Sequence, residues 1–279
     1  MDKEIMVVDS QRLNTIQSCA YKYDLAFNHD YIPVLKEEFF ERGILMHMIL
    51  EHYYKGVKSG GFTRPLLIKE SIATGEAAAV DMNIQSEEVE EVNRVALEYF
   101  EFYQDEKFEV LEVERVGSKV LYEDNNLVIL YETKIDLIVR IQNVEVLPVD
   151  HKTYSKRGPI STLSNQFLGY CWMLNVRNLM INRIGLQKTI APKEKFLRPI
   201  TSYALPVIES WVRNTTWWCL QLHKFEQDGT WPQNFTSCDK YAGCIFQQVC
   251  ACPEETRDWK LSQMFEKREE PWDVGKEIK

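Results

Sequence analysis

"ETKIDLIVRIQNVEVLPVDHKTY", residues 132–154, decides the fold. Two short apolar runs flank "RIQNVE", the pattern of two strands closing into a hairpin. Asp136 lies inside the first run, where Ile135, Leu137 and Val139 share the opposite strand face. Asp150 and Lys152 end the second run two positions apart, so they point together while Val149 and His151 point the other way. An acid in mid-strand is costly to bury unless it is paired or bound to a metal. If the hairpin closes, Asp136, Asp150 and Lys152 converge at one sheet edge. Taken alone, the D-x-K tripeptide is more often a same-face ion pair than a metal-dependent active site, so the rest of the chain must decide.

Working outward, residues from Phe108 to Thr153 are rich in Val, Ile, Leu and Tyr in short runs broken by "EDNN" and "QN", which predicts three or four strands in a meander. Upstream, "DSQRLNTIQSCAYKYDLAF" begins with a cap at Asp9 or Ser10 and continues at helical spacing. A second helix is expected from Pro33 to Lys58, stopped by Gly60-Gly61, and further helices from Arg64 to Glu106. Downstream, residues 162–176 predict a helix, 179–190 a strand and 201–229 a long helix. Arg257 to Lys279 is highly charged and is expected to pack weakly. This order gives a mixed α/β fold, a central mixed β-sheet flanked by helices. One domain is expected over 1–252, with a helical insertion at about 62–106, a cysteine-rich segment at 238–252 and a charged tail at 253–279.

A chain of 279 residues can bury a sizeable core. Its 45% hydrophobic and 27% charged content is ordinary for a soluble domain. No apolar run approaches the ~20 residues that span a bilayer, and "MDKEIMVVDS" lacks the marks of a secretory signal. A cytoplasmic protein without a membrane partner is expected. The net charge of −9 argues against a broadly basic coat for nucleic acid, but not against a local positive groove. Seven cysteines, an odd number, make a disulfide framework unexpected. Cys238, Cys244, Cys250 and Cys252 crowd fifteen residues, which points to a metal or cluster site.

Two further features bear on the carboxylates. His47 follows Gly43 by four residues on a helix that can face the sheet, although a lone helical histidine is more often surface or core. Gln166 and Tyr170 are spaced to share one helix face. In order, G-x-x-x-H, an apolar strand ending in I-D-L, V-D-x-K-T and Q-x-x-x-Y resemble the RecB-type branch of the PD-(D/E)XK nuclease superfamily, over about Ser10 to Cys250. The resemblance implies a restriction-endonuclease-like core and a Mg²⁺- or Mn²⁺-dependent nuclease. It implies that Asp136 and Asp150 are metal ligands with His47 as an additional one, that Lys152 is catalytic, and that Gln166 and Tyr170 support the site. Thr133 departs from the family, which commonly has glycine there. Glu114 corresponds loosely to a family glutamate on an earlier strand.

The same resemblance bears on the cysteines. A subset of these nucleases, CRISPR-associated exonucleases among them, carries a 4Fe–4S cluster on one N-terminal and three C-terminal cysteines. Cys19, Cys238, Cys244 and Cys250 look like that set and would staple the chain ends together. The first C-terminal interval is five residues where the family commonly has two, and zinc is the alternative. Cys171 and Cys219 lie on apolar helices and are expected in the core.

Lys152, Lys156, Arg157, Lys188, Lys193, Lys195 and Arg198 are candidate phosphate contacts, and Tyr154 a candidate for stacking on a base. The expected function is a metal-dependent DNA nuclease, an exonuclease on DNA ends or single strands, working in recombination, repair or CRISPR-linked processing. The expected setting is the bacterial or phage-infected host cytoplasm, beside a helicase or recombination protein or as an oligomer. The rival is a non-catalytic DNA-binding or structural subunit of a helicase–nuclease complex.

Overall fold

The computed structural model describes residues 3–34, 38–142, 145–155, 158–187, 191–240 and 243–274. Along the chain run β1 (Glu4–Val8), α1 (Ser10–Ser18), α2 (Ala20–Tyr23), a π-helical turn (Asp24–Asn28), β2 (Tyr31–Pro33), α3 (Glu38–Ser59), α4 (Arg64–Asp81) and α5 (Ser86–Phe102). Then come β3 (Phe108–Glu123), β4 (Leu127–Ile141), β5 (Glu145–Tyr154), α6 (Asn165–Leu174), β6 (Asn178–Gly185), α7 (Pro192–Lys195), β7 (Phe196–Leu197) and β8 (Ile200–Ser202). The chain closes with α8 (Leu205–Asp228), α9 (Gln247–Cys250), α10 (Arg257–Met264) and β9 (Phe265–Lys267). The architecture is mixed α/β with helices flanking a mixed sheet.

The chain divides into two compact units, one of Met1–Lys36, Ser118–Thr133 and Glu209–Lys279, the other of Glu37–Gly117 and Lys134–Ile208. In the second unit β4 and β5 form the expected antiparallel hairpin, with Leu137 opposite Val149 and Ile141 opposite Glu145. β6 adds to β5 in parallel, pairing Asp150 with Ile181 and Lys152 with Arg183, and β7 and β8 pair antiparallel with β6. Leu137, Val139, Leu147 and Val149 alternate onto one face. There they meet Met46, Ile49 and Leu50 of α3 and Val92, Val95 and Tyr99 of α5 in the main core. The other face carries Asp150 and Lys152 towards α6, whose Phe167 and Tyr170 are buried.

In the first unit β1 runs parallel to the start of β4, Glu4 opposite Leu127 and Val8 opposite Tyr131. Asp9 caps α1 by accepting the amides of Gln11 and Arg12 at 2.7 and 2.9 Å. The single helix expected through Cys19 breaks there, because Cys19 is extended (φ −164°, ψ 122°) and begins α2. The helix expected from Pro33 is seen over Glu38–Ser59, and Pro33 itself belongs to β2, which pairs antiparallel with β9.

That pairing corrects the expectation of weak packing beyond Arg257. Leu261 and Phe265 are buried with Leu25, Phe246 and Val249, and the Trp272 indole donates to Asp9 Oδ2 at 2.8 Å. A few apolar anchors suffice to fold a segment whose average composition is polar. Cys171 and Cys219 are fully buried, as expected.

Candidate active site

β4, β5, α3 and α6 bring the sequence-predicted residues of the second unit together. Asp150 is fully buried and Asp136 is 8% exposed. The Lys152 ammonium lies 2.9 and 3.2 Å from the two Asp150 oxygens and donates to Gln166 Oε1 at 2.8 Å. Gln166 Nε2 in turn donates to the Tyr170 hydroxyl at 3.0 Å. That hydroxyl donates to the Lys134 carbonyl at 2.7 Å and stands 3.4 Å from Asp150 Oδ1. The i, i+4 spacing on α6 makes this possible, and Ser164 starts the helix by accepting the Phe167 amide.

Asp136 Oδ2 accepts the His151 backbone amide at 2.7 Å and lies 3.7 Å from His47 Nδ1. His47 reaches the site because α3 packs against β5 at Gly43, where a Cβ would lie 3.0 Å from Thr153 Oγ1. The glycine of G-x-x-x-H therefore has a steric reason.

Two residues carry more of the site than their sequence signal allowed. Glu114 forms an ion pair with Lys134 at 2.7 Å, from a backbone held at φ +52°. A bulky side chain in that left-handed region inside a strand marks local strain. Lys134 supplies both the carbonyl that Tyr170 bonds and the ammonium on Glu114. No motif flagged it, since one lysine in a strand is ordinary surface until its partner strand is known.

The electrostatics are those of crowded negative charge. Burial, and then Asp150, push the Asp136 carboxyl up to about 7. Burial, and then Asp136, push Glu114 up to about 7. Burial, and then Lys152, lower His47, keeping its imidazole neutral and able to ligate. Asp150 Oδ2, Glu114 Oε2 and His47 Nδ1 are buried without a partner in hydrogen-bonding geometry, although each has the ionic neighbour just given. Carboxylate oxygens with one imidazole suit a hard divalent cation, and one cation would relieve this crowding. Among the described residues no three His, Cys, Asp or Glu side chains stand at metal-holding distances, so the donors are gathered but not closed into a cage.

The cysteines lie in the first unit. The thiols of Cys244, Cys19 and Cys238 lie close enough to add to burial in raising Cys250 to about 11. Cys19 Sγ also receives the Asn234 amide at 3.4 Å. Four convergent thiols are the right chemistry for an iron–sulfur cluster or zinc, but they too fall outside metal-holding distance. Cys252 instead donates to the Gln248 carbonyl at 3.2 Å.

The candidate nucleic-acid contacts need correction. Lys195 is 1% exposed and paired with Glu98. Arg198 is enclosed by Tyr54, Tyr99 and Glu106. Tyr154 is buried, its one hydroxyl proton shared between the Glu194 and Lys195 carbonyls. The polar groups of all three are engaged by internal partners rather than turned out to meet a strand. Lys193 is exposed; Lys156, Arg157 and Lys188 lie outside the described residues.

A hairpin that sets two buried carboxylates beside a tethered lysine defines a charged centre of the kind that handles phosphate esters. The family model for the PD-(D/E)XK nuclease superfamily matches residues 10–251, and the chain belongs to that superfamily. Among solved structures it is similar to a protein of Eubacterium rectale named "Putative exonuclease", at 8% identity and TM-score 0.49, covering 88% of this chain and 94% of that one. It is also similar to SSO0001, at 16% identity and TM-score 0.36, covering 76% of this chain and 96% of that one. Likenesses this distant bear on nothing further. No curated protein matches the sequence. Among the described residues no helix is long and apolar enough to cross a membrane.

Proposed function

We propose that the chain is a Mg²⁺- or Mn²⁺-dependent deoxyribonuclease of the RecB-type branch, an exonuclease acting on DNA ends or single strands. The observation that supports it most is the Lys152 ammonium held between Asp150 and Gln166 beside Asp136. Asp136 and Asp150, with His47, would hold the cation, which when bound neutralises phosphate charge and polarises the reacting phosphorus. Lys152, over a third exposed at its side chain, is the group left to meet a phosphate oxygen and stabilise charge as it develops. Gln166 fixes the ammonium, and Tyr170 fixes Gln166 by tying α6 to the Lys134 carbonyl. Removing such a preorganised donor costs roughly 10²–10³ in rate.

Cys19, Cys238, Cys244 and Cys250 would hold a 4Fe–4S cluster, with zinc as the alternative, in a structural role; a brown colour with a visible charge-transfer band distinguishes the two. The proposed setting is recombination, repair or CRISPR-linked processing in a bacterial or phage-infected cytoplasm, beside a helicase or recombination protein.

The test is cleavage of labelled single- and double-stranded DNA with Mn²⁺ or Mg²⁺, wild type beside Asp150→Ala and Lys152→Ala. Loss in both variants is expected. Equal signals from all three proteins sink the nuclease reading in favour of a binding subunit.

A further inference from the structure

We propose that Arg198, Asn182 and His151 form a positioning relay that fixes, from the core side, the strand segment carrying Asp150 and Lys152. His151 stands between those two residues, and its amide is the one that holds Asp136. Its side chain faces the opposite way, 3% exposed, stacked on Tyr54 (5.8 Å between centroids, 15°) and edge-on to His47 at 5.8 Å. Asn182 lies opposite it on β6, fully buried, with Nδ2 2.8 Å from His151 Nδ1.

The proton positions follow from donor chemistry. A guanidinium has no acceptor, so the Asn182 atom 3.2 Å from Arg198 Nε is the carbonyl oxygen. The other end of the amide is then NH₂, which donates to the Tyr99 hydroxyl at 2.8 Å and towards His151. An amide NH₂ can only donate, so His151 Nδ1 accepts and the ring carries its proton on Nε2. Arg198 is itself held by Glu106, Tyr99 and Tyr54, with its guanidinium carbon 3.5 Å from the Tyr103 ring centroid. A buried, fully donated network of this kind has one arrangement, and it pins the ring beside His47 and the amide on Asp136 together. Arg198 thereby acts through Asn182 and His151 as a positioning residue.

The consequences for Mn²⁺ binding and catalysis rest on the proposed nuclease reading; the proton position does not. Long-range ¹⁵N correlation spectra of the imidazoles in the intact resting protein are expected to place the His151 proton on Nε2. Asn182→Asp keeps the shape but presents only acceptors, so the proton is expected to move to Nδ1. Mn²⁺ binding is then expected to weaken by about 10–100-fold, with a matching fall in kcat and KM little changed. Should Asn182→Asp fail to fold, Arg198→Lys, which loses the Nε donor, is expected to release the amide and mix both tautomers. A wild-type proton on Nδ1 overturns the relay, as does a tautomer switch that leaves Mn²⁺ affinity unchanged. The spectra and Mn²⁺ titration need no DNA cleavage, so an inactive wild type would sink the nuclease reading and leave the relay tested.

Discussion

At the scale of single residues, Asp136 and Tyr170 carry the clearest expectations. The folded Asp136 carboxyl stands at about 7, above its ordinary 3.8. The folded state therefore binds this proton more tightly than the unfolded one, so its contribution to stability is present below pH 3.8 and lost as pH rises through about 7. Without metal, Tm is expected to fall over that window more steeply in wild type than in Asp136→Asn. Mn²⁺, taking the proton's place, should restore more stability at pH 8 than at pH 6. Identical pH profiles for the two proteins would refute this account of the site. Tyr170→Phe removes the donor to the Lys134 carbonyl and the acceptor of Gln166. A loss of roughly 1–3 kcal/mol is expected by chemical denaturation, from polar groups left unpaired. About a tenfold lower kcat is expected on DNA. Asp136, Asp150 and the Gln166–Tyr170 pair were legible as motifs and Glu114 only loosely so, but the pairing of Glu114 with Lys134 was not, because it lies in a contact between strands.

At the scale of elements, α3 shows how glycine sets an interface. Gly75 on α4 lies so close to it that an added Cβ would stand 2.6 and 2.8 Å from Ile49 Cγ1 and Cδ1. Gly75→Ala gains about 1 kcal/mol of helix propensity and incurs roughly 1–3 kcal/mol of overpacking. A net loss of up to about 2 kcal/mol is expected by urea denaturation, and a stabilised variant would show that the helices part freely. The larger elements were readable from periodicity: the hairpin of β4 and β5, the long α8, and the stop of α3 at Gly60 and Gly61, which adopt φ +69° and +86°; the short strands β1, β2, β7, β8 and β9 were not. The break at Cys19 was not, since apolar spacing continues across it and the extended backbone there is set by packing.

At the scale of the molecule, the segment after Arg257 is part of a unit rather than an appendage. Deleting residues 257–279 exposes Leu25, Phe246 and Val249 and removes the partner of β2. A markedly lower Tm or loss of soluble protein is expected; an unchanged melt would show that the segment is dispensable. The sequence alone determined the mixed α/β class and the meander at its centre, because alternation and helical spacing are local properties of the chain, and the order of its motifs marked Asp136, Asp150, Lys152, Gln166 and Tyr170 as candidates through a family resemblance. Only the tertiary structure decided that Lys195 and Tyr154 are buried, and Arg198 enclosed by internal partners, rather than set out as phosphate contacts. It likewise brought the Glu114–Lys134 ion pair beside Asp136 and set Asn182 against His151. A charged side chain reads the same in the sequence whether it meets water or a buried partner, and the difference is made by residues distant in the chain, more than 90 positions away for Arg198 with Tyr99 and Lys195 with Glu98.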